Sequence, residues 1–100
     1  FHSFSAFKRA MGNAAEGNQW HHIVGQHADN IRKFGAESIH NTNNLVEIPK
    51  ELHYKINGYY NSKPLELGGL TVRDWLKTQS FEAQYEYGLD IVQKALNGTL

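Results

Sequence analysis

Two short segments with the composition of β-strands, followed directly by a helical pattern, constrain the fold of this chain most strongly. The segments span residues 19–24 and 45–48, and turn-forming residues border both. Pro49 follows the second segment and suits the first turn of a helix, in which Leu52 and Ile56 recur at helical spacing. The pattern predicts a strand, a second strand and a helix in that order.

Polar residues occur at related points of these three elements. His21 and His22 lie near the end of the first strand, Asn44 precedes the second, and His53 and Asn57 lie four apart on the helix. Positions i and i+4 share one helix face, and an imidazole accepts a proton near neutral pH. A divalent cation beside such a base is what phosphodiester hydrolysis requires. The set therefore predicts a hydrolytic metal site.

The composition fits one small folded domain that covers residues 1–100, because 40% of the residues are hydrophobic. The chain has no cysteine, so metal ligands must come from His, Asn, Asp, Glu or backbone oxygen. Ten basic and ten acidic residues cancel, which argues against binding nucleic acid by bulk charge alone. No apolar run approaches the roughly 20 residues of a membrane span. Because the chain begins at Phe1 without Met, we expect a domain excised from a longer protein.

Further helices are predicted on both sides of the strands. A first helix runs from Ser3 to about Ala15, and residues 28–34 form a helical turn that ends at Gly35. Thr71 and Ser80 are expected to cap two C-terminal helices that build most of the core. The apolar residues expected to face inward are Phe4, Phe7 and Met11 in the first helix, Val72, Trp75 and Leu76 in the next, and Phe81, Tyr85, Leu89, Val92 and Leu96 in the last.

Residues 19–60 resemble the HNH, or His-Me finger, nucleases, and are most similar to the toxin branches with Trp-His-His and Ala-His-His signatures. The resemblance implies an α+β, mostly helical fold with a ββα-metal core over residues 19–60. It also implies flanking helices, with C-terminal helical support over residues 71–97. The matched residues are Trp20, His21 and His22 in the first strand, Asn44 in the hairpin, and His53 and Asn57 on the helix.

The resemblance also implies a role for each matched residue. His22 stands where the family has its general base, and Asn44 where an Asn braces the hairpin and orients that base. His21 and His53 stand where metal ligands occur, and Asn57 replaces a final His found in many members. Asn43 is an alternative to Asn44, because the segment after His22 is longer than a compact hairpin allows.

An amide oxygen at position 57 suits harder cations, so Mg²⁺ is the expected cofactor, with Zn²⁺, Mn²⁺ and Ni²⁺ as alternatives. Lys50, Lys55 and Lys63 are candidates for contacts with the nucleic acid backbone, although exposed lysines are usually only solvated. His27 and His40 have no expected partner and are interpreted as loop residues.

By resemblance, the chain is expected to be the C-terminal toxin domain of a bacterial polymorphic or contact-delivered toxin. Such a domain is secreted or delivered, cleaves DNA in the cytoplasm of the target cell, and is held inactive by a cognate immunity protein. Three alternatives stay open. They are a ribonuclease that uses the same site, a non-catalytic binding module stabilised by Zn²⁺, and a helical interaction domain without metal.

Overall fold

The computed structural model describes residues 1–100 and contains six α-helices and one two-stranded antiparallel sheet. The strands are β1 (Asn18–His22) and β2 (Leu45–Pro49), and the helices are α1 (Phe4–Met11), α2 (Ala28–Phe34), α3 (Ala36–Ile39), α4 (Lys50–Tyr60), α5 (Val72–Leu76) and α6 (Phe81–Leu96). Helices hold 57% of the residues, which confirms the α+β, mostly helical fold class. No helix has the length and apolar character needed to cross a membrane.

The chain forms two compact units, Phe1–Lys50 and Glu51–Leu100. The assignment of residues 1–100 to a single domain therefore stays a prediction. The predicted segments fall in both units: the two strands belong to the first, and nearly all of α4 and the C-terminal helices belong to the second.

The hairpin of β1 and β2 organises the first unit. His22 lies opposite Leu45 and Gln19 opposite Ile48 in the antiparallel register. Successive residues of a strand face opposite sides, so Trp20 and His22 share one face of the hairpin and His21 lies on the other. The first strand ends at His22 rather than at residue 24, although the N–H of Ile23 still donates to the carbonyl of Asn44.

Helix α1 contributes aromatic residues to the packing of the first unit. Ser3 caps the helix, because its Oγ accepts from the N–H of Ala6. The buried ring of Phe7 meets the Trp20 ring edge-on, with 5.0 Å between centroids. The helix ends at Met11 rather than near Ala15, because Gly12 adopts a φ of 88°, a backbone conformation that favours glycine. Met11 was expected to pack inward, but it is 51% exposed at this end.

The long connection between the strands contains more helix than predicted. Helix α2 confirms the predicted turn over residues 28–34 and ends at Gly35. His27 is its cap, since Nδ1 of His27 accepts from the N–H of Asn30. Helix α3 was not predicted, because four residues are too short to show a helical period. A 3₁₀ turn, Thr42–Asn44, then leads into β2.

The caps of the second unit match the prediction. Oγ1 of Thr71 accepts from the N–H of Asp74, and Oγ of Ser80 accepts from the N–H of Ala83. Helix α5 ends at Leu76 rather than near Gln79. Together α5 and α6 supply only part of the buried apolar residues, namely Val72, Leu76, Ile91, Val92 and Ala95. The prediction that they build most of the core is therefore wrong.

The buried face of α6 also differs from the predicted one. Leu89 and Leu96 were expected to pack inward but are 43% and 53% exposed. The residues that α6 buries are Gln84, Gly88, Ile91, Val92 and Ala95. The amide of Gln84 donates to the carbonyl of Gln79, so a polar side chain is accommodated inside. Of the residues of α6 predicted to face inward, only Val92 is buried, and a polar residue and a glycine are buried beside it.

Candidate functional site

His22 lies at the end of β1 in a polar contact with a second imidazole. Its Nε2 is 3.2 Å from Nδ1 of His40, and both side chains are buried. The ring of Phe4 meets His22 edge-on at 4.9 Å and stacks on His40 at 6.3 Å between centroids. His40 lies in the turn after α3, as the interpretation as a loop residue expects, but the expectation that it has no partner is wrong. No spacing rule could have found the contact, because the fold alone brings the two residues together.

Asn44 joins the end of β1 to the segment that carries His40. Its Nδ2 donates to the carbonyls of Val24 and Ile39 at 3.0 and 2.9 Å, and its Oδ1 accepts from the N–H of Val24 at 2.8 Å. The side chain is buried, so these bonds are shielded from water. Asn43 is exposed. Asn44, rather than Asn43, therefore holds the hairpin together directly after His22.

His21 is buried on the face of the hairpin opposite to His22. It is 3% exposed and lies across from Val46 in the register. Because β1 is extended, the two adjacent imidazoles address different sides of the hairpin. The two residues can therefore serve different functions, one on each side.

Helix α4 carries His53 and Asn57 on one flank of its buried side. Both side chains are half-buried, next to the buried residues Ile56 and Tyr60. Burial lowers the pKa of His53 below its usual value of 6.5, so its imidazole is neutral at pH 7. A neutral imidazole is the form that binds a metal ion. His53 and Asn57 therefore lie one helical turn apart, and His53 is in the neutral form that can bind a metal ion.

The three candidate lysines differ in their relation to this flank. All three are exposed. At about 100° per residue, Lys50 lies roughly 60° from His53 and roughly 20° from Asn57 around the helix axis. Lys55 lies about 160° from both, on the opposite side of the helix. Lys63 follows the end of α4. Of the two lysines on the helix, only Lys50 shares a side with the proposed ligands.

The available donors limit what metal site the chain can form. No three His, Asp or Glu side chains cluster in a way that could hold a cation. Of the three residues predicted as ligands, His21 in the first unit offers an imidazole, and His53 and Asn57 in the second unit offer an imidazole and a carboxamide. Mixed nitrogen and oxygen donors of this kind fit a divalent cation, because neither donor type requires a soft metal.

Within each unit, the structure brings some of the predicted residues together. In the first unit, Asn44 braces the backbone directly after His22, and His21 precedes His22 in β1. In the second, His53 and Asn57 lie one helical turn apart.

Comparisons of the sequence with known protein families and curated proteins, and of the fold with solved structures, found no match.

Proposed function

We propose that this chain is a metal-dependent endonuclease in which His22 is the general base. The observation that carries the proposal is the position of Asn44, whose carboxamide locks the backbone directly after His22. The order of elements adds support, because β2 leads without a loop into the helix that bears His53 and Asn57. The ββα-metal core and its resemblance to HNH nucleases are parts of this proposal.

In this mechanism, His21, His53 and Asn57 would be ligands of one divalent cation. The two histidines would bind it through a ring nitrogen, and Asn57 through its carboxamide oxygen. When bound, the cation supplies positive charge that stabilises the charge developing on the phosphate. His22 takes the proton from the attacking water, a role that typically contributes about 10²–10⁴-fold to the rate. Mg²⁺ is the favoured cation, and Zn²⁺, Mn²⁺ and Ni²⁺ are alternatives.

The proposed substrate is DNA, with RNA as the alternative. Formal charges cancel over the chain, so bulk electrostatics favours neither polymer. The preference for DNA rests on the resemblance to HNH nucleases. The same resemblance supports a toxin domain that acts in the target-cell cytoplasm and is inhibited by a cognate immunity protein.

A cleavage assay tests this proposal. Purified protein is incubated with plasmid DNA and with total RNA, each with Mg²⁺ and with EDTA. We expect cleavage of one polymer with Mg²⁺, none with EDTA, and none by a His22→Ala variant whose circular dichroism matches the wild type. His2→Ala is the matched control, because His2 is an exposed imidazole in the same unit. Full activity of His22→Ala would contradict the assignment of the base.

A binding module stabilised by Zn²⁺ is the second candidate, and the burial of both adjacent histidines favours it. His22 is 7% exposed, whereas a general base must reach water. A structural role predicts that His22→Ala lowers the metal content or the melting temperature. A base role predicts lost cleavage while both of these stay unchanged.

A further inference from the structure

We propose that His40 is a positioning residue that fixes the tautomer of His22. The proposal rests on the proposed role of His22 as general base. The observation behind it is the buried contact between Nε2 of His22 and Nδ1 of His40 at 3.2 Å. A neutral imidazole has one N–H and one lone pair, so this hydrogen bond needs a donor on one ring and an acceptor on the other.

Only one of the two arrangements leaves His22 able to act as a base toward water. If Nδ1 of His40 accepts, Nε2 of His22 carries the hydrogen, and Nδ1 of His22 carries the lone pair. In the reverse arrangement, Nδ1 of His22 already carries a hydrogen and cannot take another. A base at His22 therefore requires His40 to be the acceptor, with its own hydrogen on Nε2.

The same hydrogen bond persists through the proton transfer. The proton of water passes to Nδ1 of His22 while the water oxygen forms its bond to phosphorus. The bond from phosphorus to the leaving oxygen breaks, and that oxygen keeps the electron pair and takes a proton from solvent. His22 is then a cation whose Nε2–H still donates to His40. A hydrogen bond from a charged donor is stronger than a neutral one, so His40 stabilises the protonated base.

Several contacts hold the His40 ring in position to accept the hydrogen bond from Nε2 of His22. Its backbone N–H donates to the carbonyl of Ala36 at 2.8 Å, which closes α3. The carbonyl of the preceding residue, Ile39, accepts from Nδ2 of Asn44. Phe4 stacks on the ring at an interplanar angle of 11°. Burial lowers the pKa of His40, which keeps its Nδ1 available as an acceptor at neutral pH.

NMR of the whole chain with ¹⁵N-labelled imidazoles tests the tautomer directly. Two-bond ¹H–¹⁵N correlations at pH 7.5 distinguish a protonated ring nitrogen from one with a lone pair. We expect hydrogen on Nε2 and not on Nδ1 in both His22 and His40. Hydrogen on Nδ1 of His22 would overturn the proposal. This result does not depend on cleavage, so it separates failure of this proposal from failure of the proposed nuclease function.

Two variants test the functional consequence. His40→Asn places a carboxamide oxygen near the position of Nδ1, whereas His40→Leu keeps a similar volume without an acceptor. We expect His40→Leu to lower kcat about 10- to 100-fold with KM changed less than about twofold, and His40→Asn to restore most of the loss. Packing alone would give the two variants equal losses, and that result would overturn the proposal. If His40→Leu does not fold, the tautomer of His22 measured by NMR in the wild type still tests the proposal.

Discussion

The imidazoles of His22 and His40 meet at 3.2 Å, although 18 positions separate them in the sequence. One lies at the end of β1 and the other directly after α3. The Asn44 carboxamide connects both segments, because it bonds to Val24 on one side and to Ile39 on the other. The proposed base is therefore held by side chains from the long connection between the two strands.

The Asn44 brace should contribute strongly to stability. Asn44→Ala removes three hydrogen bonds and leaves backbone groups of Val24 and Ile39 without their partner. We expect the free energy of unfolding to fall by about 2–4 kcal/mol, measured by urea denaturation. Asn43→Ala is the matched control at an exposed neighbouring position, where a change within about 0.5 kcal/mol is expected. Equal losses in the two variants would contradict the bracing role.

The two sides of α6 should respond differently to truncation. Ile91 is buried, whereas Leu89, two residues earlier, is 43% exposed. We expect Ile91→Ala to cost about 2–4 kcal/mol of unfolding free energy and Leu89→Ala less than about 1 kcal/mol. Thermal and urea unfolding of the two variants compare the sides directly. A larger loss of unfolding free energy in Leu89→Ala than in Ile91→Ala would show that Leu89 packs inward, as the apolar pattern predicts.

Local signals predicted the parts of the fold that depend on neighbouring residues. The caps at Thr71 and Ser80 were found correctly, because each hydroxyl bonds to a backbone N–H three residues away. The strands were found within about two residues, because an alternating or apolar run is itself local. The buried face of α6 was not found correctly, because it includes Gln84, whose amide bonds to the carbonyl of Gln79, and Gly88, which has no apolar side chain for the pattern to detect.

Only part of the candidate site could be predicted from the sequence. His21, His22, Asn44, His53 and Asn57 could be proposed from their order along the chain. His40 could not, because its contact with His22 depends on how α3 and the 3₁₀ turn fold back toward β1. The roles of these residues stay predictions until cleavage and metal binding are measured.

Acid should destabilise the protein through two histidines whose pKa values are lowered by burial. Burial lowers the pKa of His40 and of His53 in the folded state below the ordinary 6.5. The unfolded chain therefore takes up protons at a higher pH than the folded chain. Stability should be fully present above about pH 6.5 and should fall as the pH drops from there through the folded-state pKa values.

Urea unfolding between about pH 5 and pH 8 measures this effect. We expect His40→Asn to reduce the slope of unfolding free energy against pH over the acidic part of that range. His2→Asn is the control, because His2 is exposed. Stability of the wild type that rises on acidification would show that the sign is wrong.

The lysines of α4 should contribute unequally to substrate binding. Lys50 lies on the same side of the helix as Asn57, and Lys55 lies on the opposite side. We expect Lys50→Ala to raise KM several-fold at low salt and Lys55→Ala to leave it nearly unchanged, because only the first would lose a phosphate contact. Steady-state cleavage at two salt concentrations checks this. A larger effect from Lys55→Ala would place the nucleic acid on the other side of α4.

Calorimetric titration with Mn²⁺ tests most directly whether His21 and His53 hold one cation. Mn²⁺ is used because its binding resembles that of Mg²⁺ in preferring hard donors while it still accepts imidazole. We expect the wild type to bind one cation per chain. The affinity for Mn²⁺ should be at least about tenfold weaker in His21→Ala and in His53→Ala, and unchanged in the exposed control His2→Ala. No binding by the wild type, or binding that neither substitution weakens, would contradict the proposed metal site.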